Sequence, residues 1–158
     1  MVHEIDKSAV VTAVNEAYTQ YAKTTEGQNA SYIPYLKNIP PSLFGISVCM
    51  ADGERIEVGD TGYRFGIESV SKVPTAILAM KQHGTQTVMK KIGADATGLP
   101  FNSIIAILLE NDHPSTPLVN AGAITACSMI APTGNSDAKW LAIKGFVESL
   151  CGSAVEGI

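Results

Sequence analysis

The dipeptide Asp52-Gly53 stands between two apolar runs, and no other feature constrains the fold of this chain as tightly. Leu43 to Ala51 is rich in apolar and β-branched residues, and beyond the dipeptide Ile56 and Val58 alternate with charged neighbours. Asp-Gly favours a tight reversal because glycine reaches positive φ without a Cβ penalty, so the two runs predict a β-hairpin. The rest reads as helix. Asp6 to about Lys23 places Val10, Val14, Ala17, Tyr18 and Tyr21 on one face, with Gly27 as a stop. Tyr32 to Pro41 is too broken by proline for one regular element. A second turn, Gly59-Asp60-Thr61-Gly62, leads through Tyr63–Ile67 into a helical pattern that begins near Ser71. Pro74 fits that helix because in a first turn its missing N–H leaves no bond unmade. Ile77, Leu78 and Met80 continue its apolar surface to Gly84. Further helical patterns span Thr85 to Lys91, Asn102 to Glu110, Leu118 to Ile130 and Asp137 to Leu150. Trp140, Ile143, Val147 and Leu150 form the stripe of the last, and its aromatic residue reads as core. The order is helix, hairpin, then a run of helices, which makes an α/β chain of the α+β kind. A single domain over 1–158 is expected, with the helix and hairpin in 1–70 and a mainly helical region in 71–158.

Composition narrows the classes. Hydrophobic residues make up 46% of the chain and charged ones 16%, so it can bury a core. A net charge of −4, with no Lys/Arg run longer than two, argues against nucleic acid as a partner. No apolar run reaches membrane-spanning length, and acids near the N-terminus leave no signal-peptide core, so no membrane association and a cytoplasmic location are expected. Cys49, Cys127 and Cys151 lie in apolar settings and read as reduced core thiols. His3, His83 and His113 are scattered, without the spacing of a metal site.

The chemistry begins at Phe65-Gly66-Ile67-Glu68-Ser69-Val70-Ser71-Lys72. Ser69 and Lys72 are three residues apart, and on a helical turn that spacing puts hydroxyl and amine on one face. Serine alone is a weak nucleophile, and a neighbouring amine in its neutral form activates it. Penicillin-binding proteins and class A β-lactamases carry S-x-x-K as their nucleophile motif. A second copy, Ser136-Asp137-Ala138-Lys139, reads instead as an N-cap serine with an acid in the first turn.

Four segments in order distinguish the first copy. Ala30-Ser31-Tyr32-Ile33-Pro34-Tyr35-Leu36 resembles the A-x-Y-I-P-x-L segment of the serine-dependent glutaminases. Gly59-Asp60, followed by Phe65 to Lys72, resembles their G-D…F-x-I-Q-S-I-S-K. Gly98-Leu99-Pro100-Phe101-Asn102-Ser103 is similar to G-x-x-F-N-S, and Pro117-Leu118-Val119-Asn120-Ala121-Gly122-Ala123-Ile124 to N-P-M-I-N-A-G-A-I. The resemblance implies hydrolysis of L-glutamine to L-glutamate and ammonia. Ser69 would be the nucleophile, Lys72 the base, and the Ser69 N–H part of an oxyanion hole. Substrate contacts would come from Tyr32, Glu68, Ser69 and Asn120. It implies no metal or organic cofactor, a homo-oligomer, and a serine β-lactamase/transpeptidase-like fold, an antiparallel sheet with flanking helices beside a helical subdomain. The family's remaining substrate groups and returning strands have no counterpart before Ile158, so the chain reads as an N-terminal portion, incomplete at its C-terminus.

Simpler roles stand beside these. Asn120 could cap the helix that follows it, Asn102-Ser103 could cap theirs, and Tyr32 could pack on the proline-rich segment. Three positions depart from the family: Glu68 where glutamine is usual, Ala96-Thr97-Gly98 for P-S-G, and Thr116 for the asparagine before Pro117. A carboxylate at 68 would favour protonated Lys72 and repel the substrate's carboxylate, yet could accept from its ammonium. The alternatives are a penicillin-recognising serine hydrolase, whose K-T-G and S-D-N motifs are absent here, and a non-catalytic oligomerising domain.

Overall fold

Helix α1, Lys7–Tyr21, starts where the Asp6 carboxylate accepts from the Ser8 N–H at 2.8 Å and ends at Tyr21, six residues before the expected glycine stop. The computed structural model describes residues 5–96 and 98–154, so His3 and Thr97 lie outside it. The chain divides into two units, Met1–Phe65 and Gly66–Ile158. Ser69 lies in the second unit.

In the first unit α1 packs on an antiparallel pair, β1 (Gly45–Cys49) and β2 (Arg55–Gly59), in which Ile46 faces Val58 and Val48 faces Ile56. Those four are the half-buried side of the hairpin, and Ser47, Cys49, Arg55 and Glu57 point the other way. The Gly53 N–H donates to Met50 O at 2.9 Å and the Met50 N–H to Glu54 O at 2.8 Å, with Gly53 at φ 90°. This is a three-residue loop with glycine in the left-handed position. Asp52 keeps negative φ, which the two-residue I′ turn would not allow, and its Oδ1 accepts from the Glu54 N–H at 2.9 Å. Val14 anchors α1, and the Tyr18 ring stacks on Phe44 with centroids 5.5 Å apart. Gly59 makes room for that stack, since a Cβ there would come within 2.3 Å of Phe44 O and of the Tyr18 ring. Tyr21, expected on the buried face, is 53% exposed because the helix ends there. One turn of helix, α2 (Pro34–Lys37), interrupts the proline-rich connection.

The second unit follows the sequence order closely: a 3₁₀ turn, Glu68–Ser71, then α3 (Lys72–His83), α4 (Thr85–Lys91), α5 (Ile104–Leu109), α6 (Asn120–Met129) and α7 (Ser136–Cys151). Helix α3 is the hub, touching α4, α6 and α7. Its buried Leu78 and Ala79 meet Val88, Ile92, Ala126 and Ile130. Alanines at 79 and 126 let α3 and α6 approach closely, and Ile92 and Ile130 are sealed from solvent. Pro74 is buried in the first turn of α3, as its missing N–H permits.

Three expectations fail here. Trp140 and Leu150 are 53% and 58% exposed, because α7 buries the face of Ala142, Ile143, Phe146 and Val147, rotated away from Trp140 and Leu150. Cys49 and Cys151 are exposed and only Cys127 is half-buried; Cys49 falls on the outward side of β1 and Cys151 on the last turn of α7. The cap of α7 is Asn135, whose Oδ1 accepts from the Ala138 N–H at 3.0 Å, with Ser136 already inside the helix. Ser103 does cap α5. The sheet among the described residues has two strands.

Candidate active site

Ser69 is the second residue of the 3₁₀ turn, and Lys72 opens α3 one turn later. Residues i and i+3 eclipse in 3₁₀ geometry, so the two share a face more strictly than on an α-helix. Tyr63–Ile67 is irregular, so the run forms a loop-to-helix junction. The turn is braced by the Ser71 hydroxyl, which donates to Glu68 O at 2.6 Å, and by the Thr75 hydroxyl, which donates to Ser71 O at 2.8 Å. Glu68 pays for the tight entry with a φ of 45°, a left-handed conformation unfavourable for a residue with a Cβ.

The Lys72 side chain turns toward α6. Its Nζ donates to Asn120 Oδ1 at 2.7 Å and to Leu118 O at 3.2 Å, and lies 5.6 Å from the centroid of the Phe101 ring. Asn120 is the first residue of α6; the cap position belongs to Val119, which has no side-chain cap bond. Its amide is therefore committed to Lys72, and its backbone N–H donates to Phe101 O at 2.9 Å. The segment carrying Leu118 lies directly on α6 because residue 122 is glycine: a Cβ there would fall 1.9 Å from Thr116 O. Sequence reasoning missed Phe101 and the Leu118 carbonyl. A carbonyl leaves no trace in residue identity, whereas Phe101 stood in a family-like segment and could have been found there.

Ser69 is exposed, and among the described residues its hydroxyl has no hydrogen-bond partner and makes no bond to Lys72. Its N–H lies in a first turn, where backbone donors lack an intrahelical acceptor. Glu68 is also exposed and forms no ion pair with Lys72 among the described residues. Tyr32 belongs to the first unit, on the bend before α2, and is 81% exposed. Beside Asn120 a cleft of about 200 Å³ is lined by Phe101, Ser103, Ser115 and Ile124, and the buried Ser115 hydroxyl has no partner among the described residues. His83 and His113 bond the Met129 and Lys90 carbonyls, which gives each imidazole a structural use. No helix among the described residues is long and apolar enough to cross a membrane.

Two neutral acceptors, Asn120 Oδ1 and Leu118 O, thus hold the Lys72 amine against the start of α6.

The family model described as Glutaminase matches residues 27–157. A glutaminase of Parabacteroides distasonis is 63% identical over 154 residues, covering 95% of this chain and 48% of the relative. Among solved structures, a probable glutaminase, ybaS, is 45% identical with a TM-score of 0.85, over 92% of this chain and 47% of the other. A structure of Mglu in its L-glutamate binding form is 25% identical with a TM-score of 0.79, over 92% of this chain and 33% of that one. The chain spans about half the length of the curated relatives it matches.

Proposed function

Because the chain belongs to the glutaminase family, we propose that it carries the nucleophile and base of an enzyme that hydrolyses L-glutamine to L-glutamate and ammonia. Ser69 attacks the side-chain carboxamide carbon while Lys72 takes the hydroxyl proton. Lys72 returns that proton to the departing nitrogen, ammonia leaves, and a glutamyl ester remains on Ser69. Water then attacks the ester and releases glutamate. The Ser69 N–H, free of an intrahelical acceptor, is one donor to the developing oxyanion. Asn120, Tyr32 and Glu68 contact substrate in this reading, and no metal or organic cofactor takes part. The support is one observation above the rest: among the described residues the Lys72 amine is held by two neutral acceptors with no carboxylate on it, one turn from a serine whose hydroxyl is unengaged. The L-glutamate-bound neighbour supports the substrate class.

The finer architecture, a serine β-lactamase/transpeptidase-like fold, belongs to the same proposal, as do self-association and a cytoplasmic location. Ser69→Ala is expected to remove ammonia release from glutamine by several powers of ten. Ser136→Ala, in the other S-x-x-K copy, leaves it unchanged. Near wild-type turnover in Ser69→Ala would sink the assignment. Hydrolysis of a chromogenic β-lactam in place of glutamine would point to the penicillin-recognising alternative.

A further inference from the structure

We propose that Phe101 is a positioning residue for Lys72, with its ring face beside the amine and its carbonyl fixing the start of α6. The inference rests on the reading of Ser69 and Lys72 above and deepens it.

One residue holds both ends of a single contact. The Phe101 ring lies 5.6 Å from Lys72 Nζ, and the Phe101 carbonyl accepts from the N–H of Asn120, whose side chain accepts from the same Nζ. Ring, amine and amide therefore form a closed circuit through residues from three separate segments. Phe101 is 59% exposed and stands apart from the apolar core, so packing does not explain an aromatic there. A leucine would serve as well for lining the adjoining cleft.

The choice of a ring has a chemical reason. A base lysine must accept a proton and then give it back. A carboxylate on the amine would hold the ammonium too firmly for the proton to pass on. An aromatic face attracts the ammonium through its quadrupole, more weakly and without a full negative charge. It thus supports the charged state that Lys72 occupies after taking the serine proton, while leaving that proton free to pass on. Because reacting groups must be aligned closely, loosening the amine acts on the rate more than on substrate affinity.

The test compares Phe101→Leu, which keeps the carbonyl and apolar bulk but loses the ring, with Phe101→Tyr, which keeps the ring. Two readouts are taken on the same proteins. The first is the NMR signal of the Lys72 ε-methylene in protein labelled with ε-¹³C lysine, assigned by its loss in Lys72→Arg. In Phe101→Leu it should lose its ring-current shift and move toward the signals of exposed lysines; in Phe101→Tyr it should stay. The second is glutamine turnover. Phe101→Leu should lose about three- to thirtyfold in kcat with KM changed less than about twofold, and Phe101→Tyr should recover most of it. An unmoved Lys72 signal in Phe101→Leu, an unchanged kcat, or a loss carried by KM would each overturn the proposal. If the wild-type protein did not turn over glutamine, that result would bear on the proposed activity and not on the ring. The ε-methylene shift would still decide whether the ring holds the amine.

Discussion

Glu68 adopts a φ of 45°, a conformation that costs roughly 1 kcal/mol or more for a residue with a Cβ. Glu68→Gly should therefore raise stability, by about 1 kcal/mol in urea unfolding, while Glu68→Gln keeps the strain and changes only the charge. If glycine gave no gain, the left-handed turn would not be strained. Glu68→Gln is expected to raise glutamine turnover near neutrality by removing a carboxylate next to Ser69; unchanged turnover would show that this charge is not felt at the site. Cys127 supplies a pH-dependent counterpart. Burial pushes its thiol up, and the nearby Lys139 charge only partly opposes this. The folded protein therefore holds the Cys127 proton to higher pH than an exposed cysteine does, and the reactive thiolate appears later as pH rises. Timed alkylation across pH should label Cys49 and Cys151 first and Cys127 last, and equal rates would contradict the burial. Ser69 and Lys72 were legible in sequence because three-residue spacing survives in either kind of helix. The contact made by Asn120 was only half legible. An asparagine before a helix reads as a cap until the geometry shows Val119 in that position and the amide on Lys72.

Helix ends and crossings carry the next set of consequences. Asn135→Ala should cost about 1 kcal/mol by leaving the Ala138 N–H without its acceptor. Ser136→Ala should cost much less, since Ser136 lies past the cap; urea melts of the two variants separate the assignments. In α6, Gly122→Ala forces a Cβ against Thr116 O and must displace the segment that presents Leu118 O to Lys72. It should lower both stability and glutamine turnover, and a fully active Gly122→Ala would show that the segment yields without moving the amine. Ile130→Ala, at a sealed core position, should cost about 2–5 kcal/mol. The hairpin and the five helices of the second unit were readable from turn chemistry and periodicity. The exposed side of α7 was not, because a stripe at spacings of three and four leaves the helix rotation undetermined by half a face. Trp140 looked like core for that reason, and the packing of Ala142, Ile143 and Phe146 on the core decided otherwise.

At the scale of the whole molecule, the exposed apolar side chains matter most. Ile104, Ile105, Leu108 and Leu109 of the short α5 are each more than 60% exposed. Contiguous apolar surface of this kind favours association. Light scattering of the 158-residue chain should show mass rising with concentration, and Ile105→Lys with Leu109→Lys should reduce it; a monomer at all concentrations would refute this. The α3–α6 crossing has a consequence in time as well as in space. The bond from Lys72 to Asn120 joins residues 48 positions apart. During synthesis at about 5–20 residues per second, roughly two to ten seconds pass between the two. A nascent chain thus contains Lys72 for seconds before the ribosome has made the amide that bonds it. The lysine is made early, and its amide partner follows only seconds later.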